Sequence, residues 1–240
     1  MKTKILCIPY AGGSAAIYKG WQKYLGETME LVPVELSGRG ERINDPLYNS
    51  IDEALDDIFP KILPVIHSAN YAIFGHSMGA MLTYELAQKI ISEDLPKPTH
   101  LFFSGRGVPD VKPKKKKEYH MMNDSEFENE LLGLGGTPIE IFENSELRKL
   151  FLPVLRSDFC LSGTDFSERK VIPFECDISI MVGKDEPLSA DRIQGWKRHT
   201  HGLCSVHFFN GGHFFVRDEG AAICRLINTT LTEKVSMDSK

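Results

Sequence analysis

The sequence predicts an α/β fold: a mainly parallel sheet flanked by helices on both faces, with a helical insertion above the carboxyl ends of the strands. Three observations predict it. Short runs rich in branched and aromatic residues alternate with longer segments whose apolar residues recur at helical spacing. That alternation stops between about residues 105 and 172, where helical patterns follow one another without a convincing strand between them. It then resumes to the end of the 240 residues, a length that suits one domain spanning 1–240.

In order, "KILCIP" from Lys4 is a strand that ends in the glycine loop "YAGGS". "YKGWQKYL" has helical spacing, and "MELVPVEL" returns to strand character. "SIDEALDDIFPKILPVIH" opens on a capping box, Ser50 with Glu53, and continues as an amphipathic helix. Pro60 and Pro64 are expected to kink or divide that helix, since each lacks a backbone donor. "YAIF" is a wholly apolar strand, followed by a helix from about Met78 to Ile91, and "THLFFSG" is a further strand. The interruption holds the lysine run "KPKKKKEYH" and the helical segments "DSEFENELLGL", "PIEIFE" and "NSELRKLFLPVLRSDF". Then come the strand "CDISIMVG", the helix "SADRIQGWKRH", the strand "CSVHFFNGG" and the final helix "EGAAICRLINTTL".

Composition narrows the function classes. A net charge of −5 gives no footprint for nucleic acid. No apolar stretch approaches the length of a membrane span, and the first apolar run is too short for a secretory signal. Five cysteines without a paired spacing point away from a disulfide framework or a zinc site. The expectation is a cytoplasmic protein with reduced thiols and no obligate assembly.

The chemistry begins at "GHSMG", Gly75 to Gly79, which fits G-x-S-x-G between an apolar strand and an amphipathic helix. In that setting the serine sits on a strained turn, and the helix start sets N–H groups and a positive dipole end beside its hydroxyl. Ser77 is therefore the candidate nucleophile. A serine needs a base, and the base an orienting acid, in the chain order Ser, Asp or Glu, His. His213, in "FFNGGHFF", follows a strand and a Gly-Gly turn and is the candidate base. His207 lies within a strand, His199 and His201 at a polar helix end, and His76 reads as a buried, hydrogen-bonded neighbour of the nucleophile. For the acid, "ISIMVGKDEP" presents Asp185 three residues past Val182. Its neighbour Glu186 is the other carboxylate at that edge, and Asp177 sits at the wrong end of the strand. The oxyanion donors expected are the N–H groups of Met78 and of Ala11, in the loop "IPYAGGS".

Together "CIPYAGGSA", "SGRGER", "FGHSMGAMLTYELA", "LGGTPIEIFEN", "FLPVLRSDF", "VGKDEP" and "GGHFF" resemble the external, or type II, thioesterases of nonribosomal peptide and polyketide synthesis, in the α/β-hydrolase superfamily. The likeness runs over nearly the whole chain. It departs at "LSGRGER", where such proteins commonly have proline before G-R-G. The resemblance implies Ser77, Asp185 and His213 as the triad, with Ala11 and Met78 as oxyanion donors. It also implies hydrolysis of acyl groups from the phosphopantetheine arm of acyl or peptidyl carrier domains, which are then the expected partners. No cofactor or metal is expected, since a thioester carbonyl lacks amide resonance and its thiolate leaves readily. The insertion is expected to act as a lid over an acyl channel, and Lys114 to Lys117 to steer an acidic carrier domain. A general carboxylesterase or acyltransferase, and a non-catalytic acyl-binding module, are the alternatives on the same scaffold.

Overall fold

The short apolar runs become six strands of one sheet, and their burial explains their composition. In the computed structural model, which describes residues 2–68, 70–112, 117–168 and 170–237, these are β1 (Thr3–Ile8), β2 (Met29–Pro33), β3 (Tyr71–His76), β4 (His100–Ser104), β5 (Asp177–Gly183) and β6 (Cys204–Phe209). Every neighbouring pair is parallel, in the order β2-β1-β3-β4-β5-β6. Strands β3 and β4 are buried along their whole length, which is why they read as continuous apolar runs. From β1 the chain moves outward to β2 and then returns to β3 on the other side. The crevice opened by that reversal lies at the carboxyl ends of β1 and β3, where Ile8 is in register with Gly75.

One face of the sheet packs on α1 (Ile51–Ser68) and α2 (Met78–Ser92), through Ile58, Ile62, Leu82 and Leu86. Within this layer Trp196 stacks on Phe103 with ring centroids 4.3 Å apart. The other face packs on α7 (Gly220–Met237) and a 3₁₀ helix at Ala15–Tyr24, through Tyr18, Trp21, Ile223 and Ile227. A short helix, α6 (Ala190–Gln194), follows β5.

Helix α1 is continuous through Pro60 and Pro64, which corrects the expected break. The two prolines are four residues apart on the exposed face, so the carbonyls they leave without a donor are open to water. The opposite face, from Ile51 through Ile58 to Ile66, is buried and holds the helix against the sheet. At its start Ser50 Oγ accepts from the Glu53 N–H at 3.1 Å, but the Glu53 carboxylate turns back to the N–H of Asn49 rather than that of Ser50.

Between β4 and β5 the chain forms α3 (Asp124–Leu134), α4 (Glu140–Glu143) and α5 (Ser145–Ser162), with no strand among the described residues. Phe127, Leu131, Leu152 and Leu155 make a small apolar core inside this unit. Lys114 to Lys116 lie outside the described residues; Lys117 is ion-paired with Glu130 of α3.

Among the contacts that tie the insertion to the sheet is one buried ion pair. Asp158 on α5 is fully buried, and Arg39, in the loop after β2, is 5% exposed. The guanidinium reaches both carboxylate oxygens, at 2.5 and 2.8 Å, and also donates to the Ser37 and Gly13 carbonyls. Asp158 Oδ2 accepts in addition from the Gly12 N–H at 2.7 Å. Three distant segments, "SGRGER", "YAGG" and "LRSDF", thereby share one hydrogen-bond network. The serine that stands where proline was expected is part of it. The Ser37 N–H, which a proline lacks, donates to Tyr48 Oη at 3.0 Å, and Ser37 Oγ–H donates to the Pro46 carbonyl.

Two consequences can be measured. Asp158→Ala strands a buried guanidinium and is expected to cost about 3–5 kcal/mol in urea unfolding, whereas Arg39→Met combined with Asp158→Leu costs clearly less than the sum of the single changes. The second concerns pH. His76 is completely buried, and desolvation holds its imidazole neutral well below the ordinary range; the positive charges of His213 and Arg217 act in the same direction. The unfolded chain protonates this residue near about pH 6.5 and the folded chain does not, so U binds more protons than N below that point. Stability should therefore be flat above neutrality and fall as pH drops from about 6.5 toward 5, by up to about 1.4 kcal/mol per pH unit from this residue. His199, pushed down mainly by burial, adds to the same slope. Thermal melts of His76→Gln should show a smaller loss between pH 7.5 and 5.5 than the parent.

Candidate active site

A residue placed between β3 and α2 must reverse direction within one position, and Ser77 does so at φ 55° and ψ −112°. No L-residue adopts this readily, so the neighbours must hold it there. The Ser77 N–H donates to the Ser104 carbonyl at 2.8 Å, fixing the bend to β4. A Cβ at Gly75 would lie 2.1 Å from the Gly79 carbonyl oxygen, and one at Gly79 would lie 2.2 Å from that of Ile8. The two glycines of the motif are thus required by contact: they let the turn close and let the β1 loop lie against the start of α2.

His213 arrives from the far side of the sheet. The Asn210-Gly211-Gly212 turn after β6 folds across the end of β5, where a Cβ at Gly183 would meet the Gly212 carbonyl at 2.4 Å. The imidazole lands with Nε2 2.9 Å from Ser77 Oγ and Nδ1 2.6 Å from a carboxylate oxygen. That carboxylate belongs to Glu186.

Asp185, the expected partner, is exposed and makes no side-chain contact with His213. The reason is the turn that closes β5. The Glu186 N–H donates to the Gly183 carbonyl at 3.1 Å, so residues 183–186 form a four-residue turn. Asp185 is its third residue and points from the tip into solvent, its own N–H held by the Gly211 carbonyl. Glu186 closes the turn, and its side chain, 5% exposed, comes back over the sheet edge to the imidazole. Turn chemistry was the signal that separates the two: the tip of a turn favours aspartate, while the residue closing it faces back to the strand end.

With Glu186 accepting from Nδ1–H, the proton-free Nε2 is left to accept from the Ser77 hydroxyl, the arrangement a serine nucleophile needs. The acid is shielded from water while the His213 side chain remains 28% exposed toward the cavity. His76 lies beside it, ring centroids 5.2 Å apart, with Nδ1 bonded to Ser104 Oγ at 2.8 Å and not to Ser77. Of the other histidines weighed, His199 is buried against Tyr84 and Asp110, His207 bonds Ser205 within β6, and His201 is exposed.

The loop after β1 borders the nucleophile. Its Gly12 N–H is committed to Asp158 and its Gly13 N–H to the Tyr10 carbonyl. The Ala11 N–H has no acceptor among the described residues, and Ala11 lines the cavity with Ser77 and His213. Met78 is the first residue of α2, so its N–H has no intrahelical acceptor, while its side chain is buried in the core. Neither N–H therefore has an acceptor among the described residues.

Above them is a cavity of about 430 Å³. The insertion supplies Tyr119, Leu134, Phe159 and Phe166 to its wall, the loop after β4 supplies Arg106 to Pro109, and the segment after β5 supplies Leu188 and Arg192. Among the described residues no group of side chains is arranged to hold a metal ion, and no helix is long and apolar enough to cross a membrane.

Comparison with known proteins accords with this geometry. The thioesterase domain family matches residues 3–231. The gramicidin S biosynthesis protein GrsT of Aneurinibacillus migulanus is 32% identical over 98% of this chain and 92% of its own length. Among solved structures, ClbQ from the colibactin NRPS/PKS pathway superposes with a TM-score of 0.92 at 31% identity, covering 99% of this chain and all of that one. The type II thioesterase BorB from the borrelidin biosynthetic cluster superposes with a TM-score of 0.82 at 30% identity, covering 95% of this chain and 91% of its own. A nucleophile elbow, a histidine–carboxylate pair and likeness along nearly the full chain lead to one conclusion: this protein belongs to the thioesterase domain family of α/β-hydrolases and is an enzyme of that family.

Proposed function

We propose that the chain hydrolyses acyl thioesters carried on the phosphopantetheine arm of acyl or peptidyl carrier domains, clearing stalled or misprimed groups from nonribosomal peptide or polyketide synthases. The observation that carries this reading is the unbroken contact series Ser77 Oγ, His213 Nε2, His213 Nδ1, Glu186 Oε1, at 2.9 and 2.6 Å. His213 takes the hydroxyl proton as Ser77 Oγ bonds to the thioester carbon. The tetrahedral oxyanion is received by the Ala11 and Met78 N–H groups. As the carbon–sulfur bond breaks, the protonated imidazole returns its proton to the departing thiolate, leaving an acyl-serine and a free arm. Water, deprotonated by the same imidazole, then attacks the ester carbon; Ser77 regains its proton and a carboxylic acid departs. Glu186 holds the tautomer and balances the imidazolium charge.

Relatives whose names place them in peptide or polyketide assembly match this chain over nearly its full length, which supports the pathway. One feature favours editing over product release. A cavity of about 430 Å³ is near the lower end of the roughly 300–1,000 Å³ range of small-molecule sites, which suits a short acyl or aminoacyl unit better than an assembled chain. The insertion, walling this space, serves as its lid. Function in the cytoplasm fits the five free thiols.

The direct test is incubation with a panel of acyl-loaded carrier domains, following mass loss from the arm. Short acyl groups should be released faster than long ones, and acyl-carrier substrates should be preferred over simple esters. Equal rates on carrier-bound, pantetheine-bound and simple ester substrates would instead identify a general esterase. Ser77→Ala should lower turnover by at least about 10³-fold. Glu186→Gln, which keeps the shape but not the charge, should lower kcat by about 10²–10⁴. Asp185→Asn should stay within about twofold of the parent, and a large loss there with an active Glu186→Gln would reverse the assignment of the acid.

A further inference from the structure

Two guanidinium groups in the cavity wall have no anionic partner, and one of them has no partner at all. Arg106 is satisfied by neutral acceptors: Nη1 donates to Ser162 Oγ and Nη2 to the Ser162 carbonyl, both at 2.9 Å. Burial lowers it to about 10, and the positive charge of Arg192 pushes the same way. The Arg192 guanidinium makes no hydrogen bond or ion pair with any described residue, and its Nε is shut off from solvent. Its position is nonetheless fixed. The Arg192 N–H donates to the Ser189 carbonyl, and its carbonyl accepts from the Val108 N–H at 2.9 Å. The guanidinium lies flat on Gly107, where a Cβ would come within 2.7 Å of Cζ. The residue is half-buried, and a guanidinium whose Nε is cut off from water without an acceptor is costly to hold unless something else supplies one.

We propose that Arg192 recognises a carboxylate carried by the acyl group itself, so that the preferred substrates are half-thioesters of dicarboxylic acids. This rests on the thioesterase reading above and specifies its substrate class. A planar guanidinium offers two parallel donors matched to a carboxylate, and an anion placed before it also relieves the repulsion from Arg106. Glu186 is near enough to Arg192 to stabilise its charge, yet forms no ion pair with it and is occupied by His213. Arg192 lines the same cavity as Ser77, Glu186 and His213. The phosphate of a pantetheine arm lies at the opposite end of the arm from the thioester carbon, whereas a carboxylate on the acyl group lies on the acyl side of that carbon, in the cavity that Arg192 lines. Anions at the cavity wall do not fill the role: Glu186 is engaged, and Asp165 faces Lys112 at 3.8 Å.

The test uses the full chain and four thioesters: glutaryl-pantetheine, its methyl ester as the neutral match, and both again on 4′-phosphopantetheine. The parent should favour the glutaryl over the methyl-ester form by about 10- to 100-fold in kcat/KM. Arg192→Gln should bring that ratio close to one, and Arg192→Lys should keep part of it. A ratio near one in the parent, or one unchanged in Arg192→Gln, overturns the proposal. So does a result in which Arg192→Gln erases only a preference for the phosphorylated arm, which would assign the cation to the arm. If the parent hydrolyses none of the four, the thioesterase reading fails separately. Calorimetric binding of glutarate against pentanoate to the parent decides the subsite without any turnover or variant. Tighter binding of glutarate supports it, and equal binding rejects it.

Discussion

The strained bend at Ser77 is the constraint on which the rest of the site depends. A residue at φ 55° and ψ −112° persists only where its surroundings fix it from several sides. Here they are the β4 carbonyl that takes its N–H, the glycines that allow α2 to start against the β1 loop, and the buried packing of β3 and α2. The bend lifts the hydroxyl off the sheet at the point where strand order reverses. There a histidine beyond β6 reaches it, held in turn by a carboxylate beyond β5, because parallel strands deliver all their carboxyl-end loops to the same edge. The convergence of residues 77, 186 and 213 is a property of strand direction before it is a property of the side chains.

The Arg39–Asp158 pair extends the same logic to the insertion. The helical unit has a small apolar core of its own and is joined to the main core through Leu161 and Phe166, contacts that by themselves are not directional. A buried, doubly bonded ion pair is directional, since the desolvated charges are satisfied only in a single arrangement. Asp158 also occupies the Gly12 N–H. The insertion therefore orders the backbone next to Ala11, whose N–H the network does not use. Placement of the insertion and geometry of the loop after β1 are in this sense coupled.

Much of this was legible in the chain. Strand and helix alternation, the Ser77 turn, His213 and the free donors at Ala11 and Met78 all follow from patterns local to a few residues. What was not legible depends on direction within a turn or on contacts between remote segments. Asp185 and Glu186 are adjacent and chemically alike, and only the hydrogen bond from residue 186 to residue 183 decides which one faces inward. Pro60 and Pro64 look like breaks in a linear reading, yet they are harmless because their spacing puts both on the wet face. Arg39 and Asp158 lie 119 residues apart, and neither is distinguishable in sequence from a solvated charge. Arg192 is a harder case still, because its signal is the absence of a partner for a side chain that most often has one.

The charges of the site divide into a closed group and an open one. Glu186 and His213 form a pair whose bonding is complete in the free protein. Arg106 and Arg192 face the same space with no anion between them, and the folded protein bears their mutual repulsion. A stable protein sheds such an arrangement by substitution at little cost unless the open charges do something in the occupied state. Preorganised donors that lose nothing further when an anion arrives convert that standing repulsion into selectivity among acyl groups. A serine, a histidine and a carboxylate recur on a scaffold that hosts many hydrolases, so under the proposal above it is the unpaired guanidinium, and not that trio, that selects among acyl groups.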